Sequence, residues 1–246
     1  LMSRTAIAAL SLLASRRVVL VGDSKQLAPI SRISRVLPHK HQTWLASSGL
    51  SHLDSIADTP TAVHVLSHQR RMHPDVCKIV SKYQYAGHLQ TADETIARPS
   101  NLTDFIAGHS RTIWYVLDHE SKDLASIRSE RGPGNKSWVR SITCQVLEKI
   151  FQDVSIRNSK GMFISPFKAQ ARVVADLFAA WGINDWEAST VHSQQGAETD
   201  IVIFDTVNAG CYSWPYDEWK RLVNVALSRA REAVIVLASH SEMEEP

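Results

Sequence analysis

The residues best suited to phosphate chemistry in this 246-residue chain are Arg229 and Arg231, which close the stretch Asn224-Val225-Ala226-Leu227-Ser228-Arg229-Ala230-Arg231. A guanidinium stays charged and donates two parallel hydrogen bonds to an oxyanion. Spaced two apart at a helix end, the two side chains point in different directions, so one can hold structure while the other reaches a ligand. A solvated helix end carrying two snorkelling cations is the alternative. Other stretches ask for the same kind of ligand. Gln26, in Gly22-Asp23-Ser24-Lys25-Gln26-Leu27-Ala28-Pro29, can sense an anion without carrying charge. Arg70 and Arg71 precede Met72-His73-Pro74 at a strand-to-helix junction, where a solvated basic turn is the competing account. Gly196 permits a close or left-handed backbone beside Glu198, whose carboxylate can bond a sugar. Ser165-Pro166-Phe167-Lys168-Ala169-Gln170 puts a hydroxyl, a Lys and a Gln at a strand end and helix start, suited to a phosphodiester or to nothing more than starting the helix.

These side chains need a sheet to position them. Val18–Val21, Thr112–Asp118, Gly161–Ile164, Ile201–Asp205 and Ala233–Ala238 read as strands, with His64–Leu66 a short candidate. A helix is expected before the first strand, over Arg4–Ala14, and a signal-peptide core is weighed there and set aside. A helix and linker are expected over 30–59, and helices over Asp75–Tyr85, Trp138–Asp153 and Ala169–Trp181. Residues 86–111 read as irregular, 121–136 as a surface loop, and Asn208–Lys220 as a loop followed by a short helix that delivers Arg221. Alternating strands and helices argue for an α/β fold, a parallel sheet with helices on both faces.

Composition narrows the partners. With 44% hydrophobic residues the chain can build a core, and a net charge of +2 leaves nucleic-acid binding to a local patch. Cys77, Cys144 and Cys211 show no metal spacing, the histidines are scattered singly, and a reducing, cytoplasmic or nuclear setting follows. No apolar run is long enough to span a membrane, so no membrane is expected among the partners.

Taken in order, Gly22-Asp23-x-x-Gln26-Leu27-x-Pro29, Gln69-x-Arg71-Met72-His73-Pro74, Ser165 to Gln170, Gln195-Gly196-x-Glu198-x-Asp200 and Asn224 to Arg231 resemble the motifs of superfamily 1 helicases. The likeness is to the group that includes the nonsense-mediated-decay RNA helicase and the Okazaki-fragment nuclease-helicase. It implies RecA-like domains of the P-loop NTPase fold that close on ATP and Mg2+ and move single-stranded DNA or RNA, with 5′ to 3′ polarity. By that resemblance Gln26 senses the γ-phosphate, Asp23 supports it, and Arg71 and Arg231 are arginine fingers. Glu198 meets the ribose, Gly196 lets the backbone approach, and Arg70 stands where the family has an adenine-stacking Tyr. Ser165, Pro166, Lys168 and Thr190 line the nucleic-acid track. The sequence departs from the family at Gln194, where Phe is usual, and at His192, where Asp is usual.

No Gly-x-x-x-x-Gly-Lys-Ser/Thr occurs in the chain, and no Asp-Glu-Ala-x-Gln precedes Gly22. The resemblance therefore implies that residues 1–59 are the end of a first RecA-like domain and that 60–246 are a second one. The missing N-terminal RecA-like half, which would carry most phosphate and metal ligands, is then an expected partner. The alternative is a non-enzymatic remnant that binds nucleic acid or protein.

Overall fold

The computed structural model describes residues 3–14, 16–28, 48–50, 64–98, 100, 102, 110–119, 127–128, 137–194, 196–207 and 215–244. The chain divides into two compact units, Leu1–Leu66 and Ser67–Pro246.

In the first unit, α1 spans Arg4–Leu13, started by Ser3, whose hydroxyl accepts the Ala6 N–H at 3.2 Å. One expectation is corrected here: Val18–Val21 is a largely exposed extended segment rather than a strand, and Leu12 and Leu13 of the helix before it are exposed too. A strand is held by ladder bonds to a neighbour, and none among the described residues pairs with Val18–Val21. The loop that follows is ordered locally: the Asp23 carboxylate accepts the Lys25 N–H at 2.9 Å, the Asp23 carbonyl accepts the Gln26 N–H at 3.2 Å, and Leu27 is buried.

The second unit begins with β1 (His68–Gln69), displaced from the expected His64–Leu66, where Val65 and Leu66 are exposed. It leads into α2 (Pro74–Gln84), whose proline takes a first-turn position where no N–H is needed. The expected irregular stretch that follows contains β2 (Gln90–Thr91), parallel to β1, and the short helix α3 (Asp93–Ile96). Then come β3 (Thr112–Val116), β4 (Ile127–Arg128), β5 (Trp138–Val139), α4 (Ile142–Ile150), α5 (Val154–Arg157), β6 (Gly161–Ser165) and α6 (Lys168–Ala180). Where one long helix was expected from Trp138, the chain pairs β5 antiparallel to β4 before α4 starts. The remaining elements are β7 (Trp186–Thr190), β8 (Thr199–Asp205), α7 (Tyr216–Leu227), β9 (Ala230–Ala238) and α8 (His240–Glu244). Most of the expected helix and linker over 30–59, most of the loop over 121–136, and residues 208–214 lie outside the described residues.

Five strands form one all-parallel sheet in the order β3-β9-β8-β6-β7. Their central members are buried on both faces, which is why they read as unbroken apolar runs. On one face Phe163, Ile201, Ile203, Ile235 and Leu237 pack with Val146, Leu147 and Ile150 of α4 and Val174 and Phe178 of α6. On the other, Phe204 faces Trp219 of α7 with ring centroids 6.3 Å apart. This is the α/β arrangement, a parallel sheet with helices on both faces, that the alternation of strands and helices predicts.

A buried polar network crosses the carboxyl end of the sheet. Arg140, fully buried, pairs with Asp205 at the end of β8 and with Glu242 of α8. Gln170 and Thr143 donate to the other Asp205 oxygen at 2.9 and 2.6 Å. Ser239 and Glu242 cap each other across the start of α8, the Ser239 N–H donating to the carboxylate at 2.7 Å.

Candidate active site

The turn carrying Arg70 and Arg71 is shaped by a side chain to which sequence reading gave no role. Gln69 accepts the N–H groups of Arg71 and Met72 at 2.8 and 2.7 Å and donates to the Met72 carbonyl and the Thr91 hydroxyl, both at 2.8 Å. One amide thereby satisfies the junction that strand and helix geometry leave open. Met72 is buried beneath it, and the two arginines stand on the outside. Arg70 turns to Glu94, an exposed ion pair of α3, whose carboxyl is lowered by its own backbone N–H and then by Arg70.

Arg71 turns the other way. Its Nε donates to Glu198 at 2.9 Å and its Nη1 to the Ser228 carbonyl at 2.9 Å. Glu198 leads into β8, Ser228 caps α7, and Arg71 follows β1, so three remote segments converge on one guanidinium. Gly196, with φ +98°, makes the approach to Glu198 in a conformation that L side chains rarely adopt. The hydrogen bond from Arg71 is the main cause holding the Glu198 carboxyl below the usual range, with the charges of Arg71, Arg231 and Arg98 adding to it.

Arg229 and Arg231 divide their roles, but not at a helix end. The helix stops at Leu227, and Arg231 is the second residue of β9. Arg229 is buried, donating to the carbonyls of Val225 and Ala197 at 2.9 and 3.3 Å and to the Ser228 hydroxyl at 3.0 Å. Burial, and then the like charge of Arg71, pushes it down to about 10. Arg231 is half-buried, 3.8 Å from Asp200, with its side chain 39% exposed and its charge felt by Glu198.

The residues expected along the track lie at the opposite end of the sheet. β6 ends at Ser165 in register with Thr190 at the end of β7, while Arg231 and Thr199 sit at the starts of β9 and β8. Ser165 is fully buried, its hydroxyl accepting the Phe167 N–H at 3.3 Å, and Pro166 is buried too. Gln170 is spent on the Arg140–Asp205 network, which corrects its reading as a phosphodiester contact. Lys168 is exposed and Thr190 is half-buried. Gln26 and Asp23 belong to the first unit, Gln26 half-buried within the Asp23 turn.

A family model described as an AAA domain matches residues 45–241, most of the chain. The chain belongs to this AAA domain family. It is a helicase-related AAA domain, the C-terminal part of the superfamily 1 type. Among curated proteins it is 26% identical to the DNA replication ATP-dependent helicase/nuclease DNA2 of Bos taurus over 91% of this chain and 22% of that protein. It is 26% identical to the 3'-5' exoribonuclease HELZ2 of Mus musculus, over 91% of this chain and 8% of that protein. The AAA domain chain thus spans between 8% and 22% of the length of these two relatives. The solved C-terminal domain of a possible DNA helicase from Lactobacillus plantarum is 14% identical, covering 70% of this chain and 88% of its own, with a TM-score of 0.39.

Within this AAA domain the arrangement suits an anion approached by two cations. Arg71 and Arg231 are both partly exposed, each leaning on an acid that a polyphosphate could replace. Among the described residues no group of His, Cys, Asp or Glu gathers as a metal site, and no helix is long and apolar enough to cross a membrane.

Proposed function

We propose that this chain forms part of an ATP-dependent superfamily 1 helicase that moves along single-stranded DNA or RNA, 5′ to 3′, and unwinds duplexes. The observation that carries the reading is the convergence of Arg71, Glu198 and Arg231 from three distant segments at the amino end of β8 and β9. Bound ATP supplies the phosphoryl group to be transferred. Arg71 and Arg231 offer charge to the oxygens of that group, Glu198 accepts from the ribose, and Gly196 leaves the backbone close. Arg70, which pairs with Glu94 here, is assigned to the base, and in the first unit, taken by itself, Gln26 is the uncharged donor to phosphate in the turn that Asp23 shapes. Lys168 and Thr190, at the other end of the sheet, are the accessible members of the proposed track. The buried Ser165 and Pro166 shape the turn that presents Lys168.

The fit to nucleotide is partial. The cations, the carboxylate and the left-handed Gly196 suit ribose and phosphate, whereas no described cluster suits Mg2+. The P-loop and metal ligands are therefore assigned to a further RecA-like half as partner. The exposed Leu12, Leu13, Val19 and Val21 of the first unit support that assignment, because such apolar surface favours cover by another element. The free thiols of Cys77 and Cys144 suit a reducing, cytoplasmic or nuclear setting.

The test joins the chain to a P-loop-bearing RecA-like half and measures single-strand-stimulated ATP hydrolysis. Arg231→Ala is expected to lower turnover about a thousandfold while nucleotide still binds. Unchanged turnover removes Arg231 from the site. The chain alone is expected to hydrolyse ATP negligibly, and duplexes with a 5′ or a 3′ overhang report polarity.

A further inference from the structure

Glu232 follows Arg231 in β9 and is buried, with only 7% of its surface exposed. A buried carboxylate requires counter-charge. Two arginines provide it: Arg98, just past α3, has Nε 3.8 Å from one oxygen, and Arg111, just before β3, has Nη1 4.0 Å from the other. Those two nitrogens are buried and have no hydrogen-bond partner, so charge rather than a bond compensates them. Arg98 is used twice. While Nε faces Glu232, its Nη2 donates to the carbonyl oxygen of Arg71 at 2.6 Å. A second tie lies two residues on, where the His73 N–H donates to the Arg231 carbonyl at 2.7 Å. The segment that carries Arg71 is thus fastened to β9 next to Arg231 at two points. The charge of Arg98 also reaches Glu198, the acid that Arg71 holds.

We propose that Arg98 and Glu232 are positioning residues that set the separation of Arg71 from Arg231, so that both guanidiniums can meet one polyphosphate. This rests on the nucleotide-site reading above. Neither residue touches the nucleotide: Glu232 orients Arg98, and Arg98 holds the Arg71 backbone. The planar fork of an arginine can address a carboxylate and a carbonyl at once, which a single ammonium at the end of a shorter stem does not reproduce. Arg98→Lys therefore keeps the charge beside Glu232 and loses the bridge. Arg111→Gln serves as its counterpart, removing a cation from the same carboxylate while leaving the bond from Arg98 to Arg71 intact.

The experiment has two readouts. In the nitrogen-15-labelled full chain, solvent exchange of the Arg71 Nε–H proton is expected to rise about tenfold in Arg98→Lys, as for loss of one charged hydrogen bond, and to stay unchanged in Arg111→Gln. In the chain joined to a P-loop half, Arg98→Lys is expected to lower kcat about tenfold with the KM for ATP preserved, and Arg111→Gln to lower thermal stability with kcat preserved. Unchanged exchange in Arg98→Lys, or an equal loss of kcat in both variants, overturns the proposal. The nucleotide-site reading fails separately, if Arg71→Ala retains full turnover; the exchange measurement, made without nucleotide, then still decides whether Arg98 holds Arg71.

Discussion

Arg71 and Glu198 stand 127 positions apart in the chain and meet through a 2.9 Å hydrogen bond from Nε to the carboxylate. Both belong to the proposed nucleotide site, so each occupies the other where ligand would go. Their side chains are 31% and 50% exposed, which keeps the bridge weak enough for a phosphate to replace it.

A double-mutant cycle of Arg71→Ala and Glu198→Gln in urea denaturation is expected to give a coupling of about 1 kcal/mol or less, shrinking in high salt. A coupling several times larger would mean that the pair is a structural clasp rather than a displaceable contact.

The Arg140–Asp205 pair is the opposite case, since neither side chain is exposed. Asp205→Ala should destabilise the second unit by about 3–5 kcal/mol, because it leaves a buried guanidinium with Glu242 as its remaining acid. Replacing both partners by apolar residues should recover much of that loss, as read from denaturation midpoints.

Gly161 opens β6 directly against Trp186, and a methyl group there would overlap the indole. The ring cannot swing aside freely, because its Nε1–H donates to the Ile156 carbonyl at 3.1 Å and Phe151 packs on its edge at 4.8 Å. Gly161→Ala is expected to cost about 1–3 kcal/mol, and Trp186→Phe in the same chain to relieve part of it.

Stability should fall on mild acidification. His73 and His192 both lie below the usual 6.5, chiefly through burial. His73 also accepts the Asp75 N–H at 3.3 Å through Nδ1 as the cap of α2, a bond that only the neutral ring can accept. A depressed histidine binds fewer protons folded than unfolded, so its contribution is full above the unfolded value and is lost as pH drops towards the folded one. The melting temperature should therefore decline between about pH 7 and pH 5, and His73→Asn with His192→Asn should flatten that decline. An equal slope in the double variant would place the titration elsewhere.

The strands of the second unit were legible because a parallel sheet covered on both faces writes itself as β-branched apolar runs: Gly161–Ile164, Ile201–Asp205 and Ala233–Ala238 all lie within strands. The same signal failed at Val18–Val21, because an apolar run has a strand's preference but only a paired neighbour makes it one. Two-residue strands leave no periodicity to read, which is why β2 stood in a stretch read as irregular and β5 in one read as helix.

The sequence by itself determined the order of the motifs and the residue types that suit phosphate, since a guanidinium or a left-handed glycine carries its chemistry wherever it stands. Tertiary structure alone decided how those residues are spent. Arg229 is buried on carbonyls while Arg231 is half-exposed, Gln170 is locked under Asp205 rather than offered to a ligand, and Gln69 builds the turn that presents Arg71. A side chain's partners depend on what folding brings within about 3 Å, and spacing along the chain does not encode that distance.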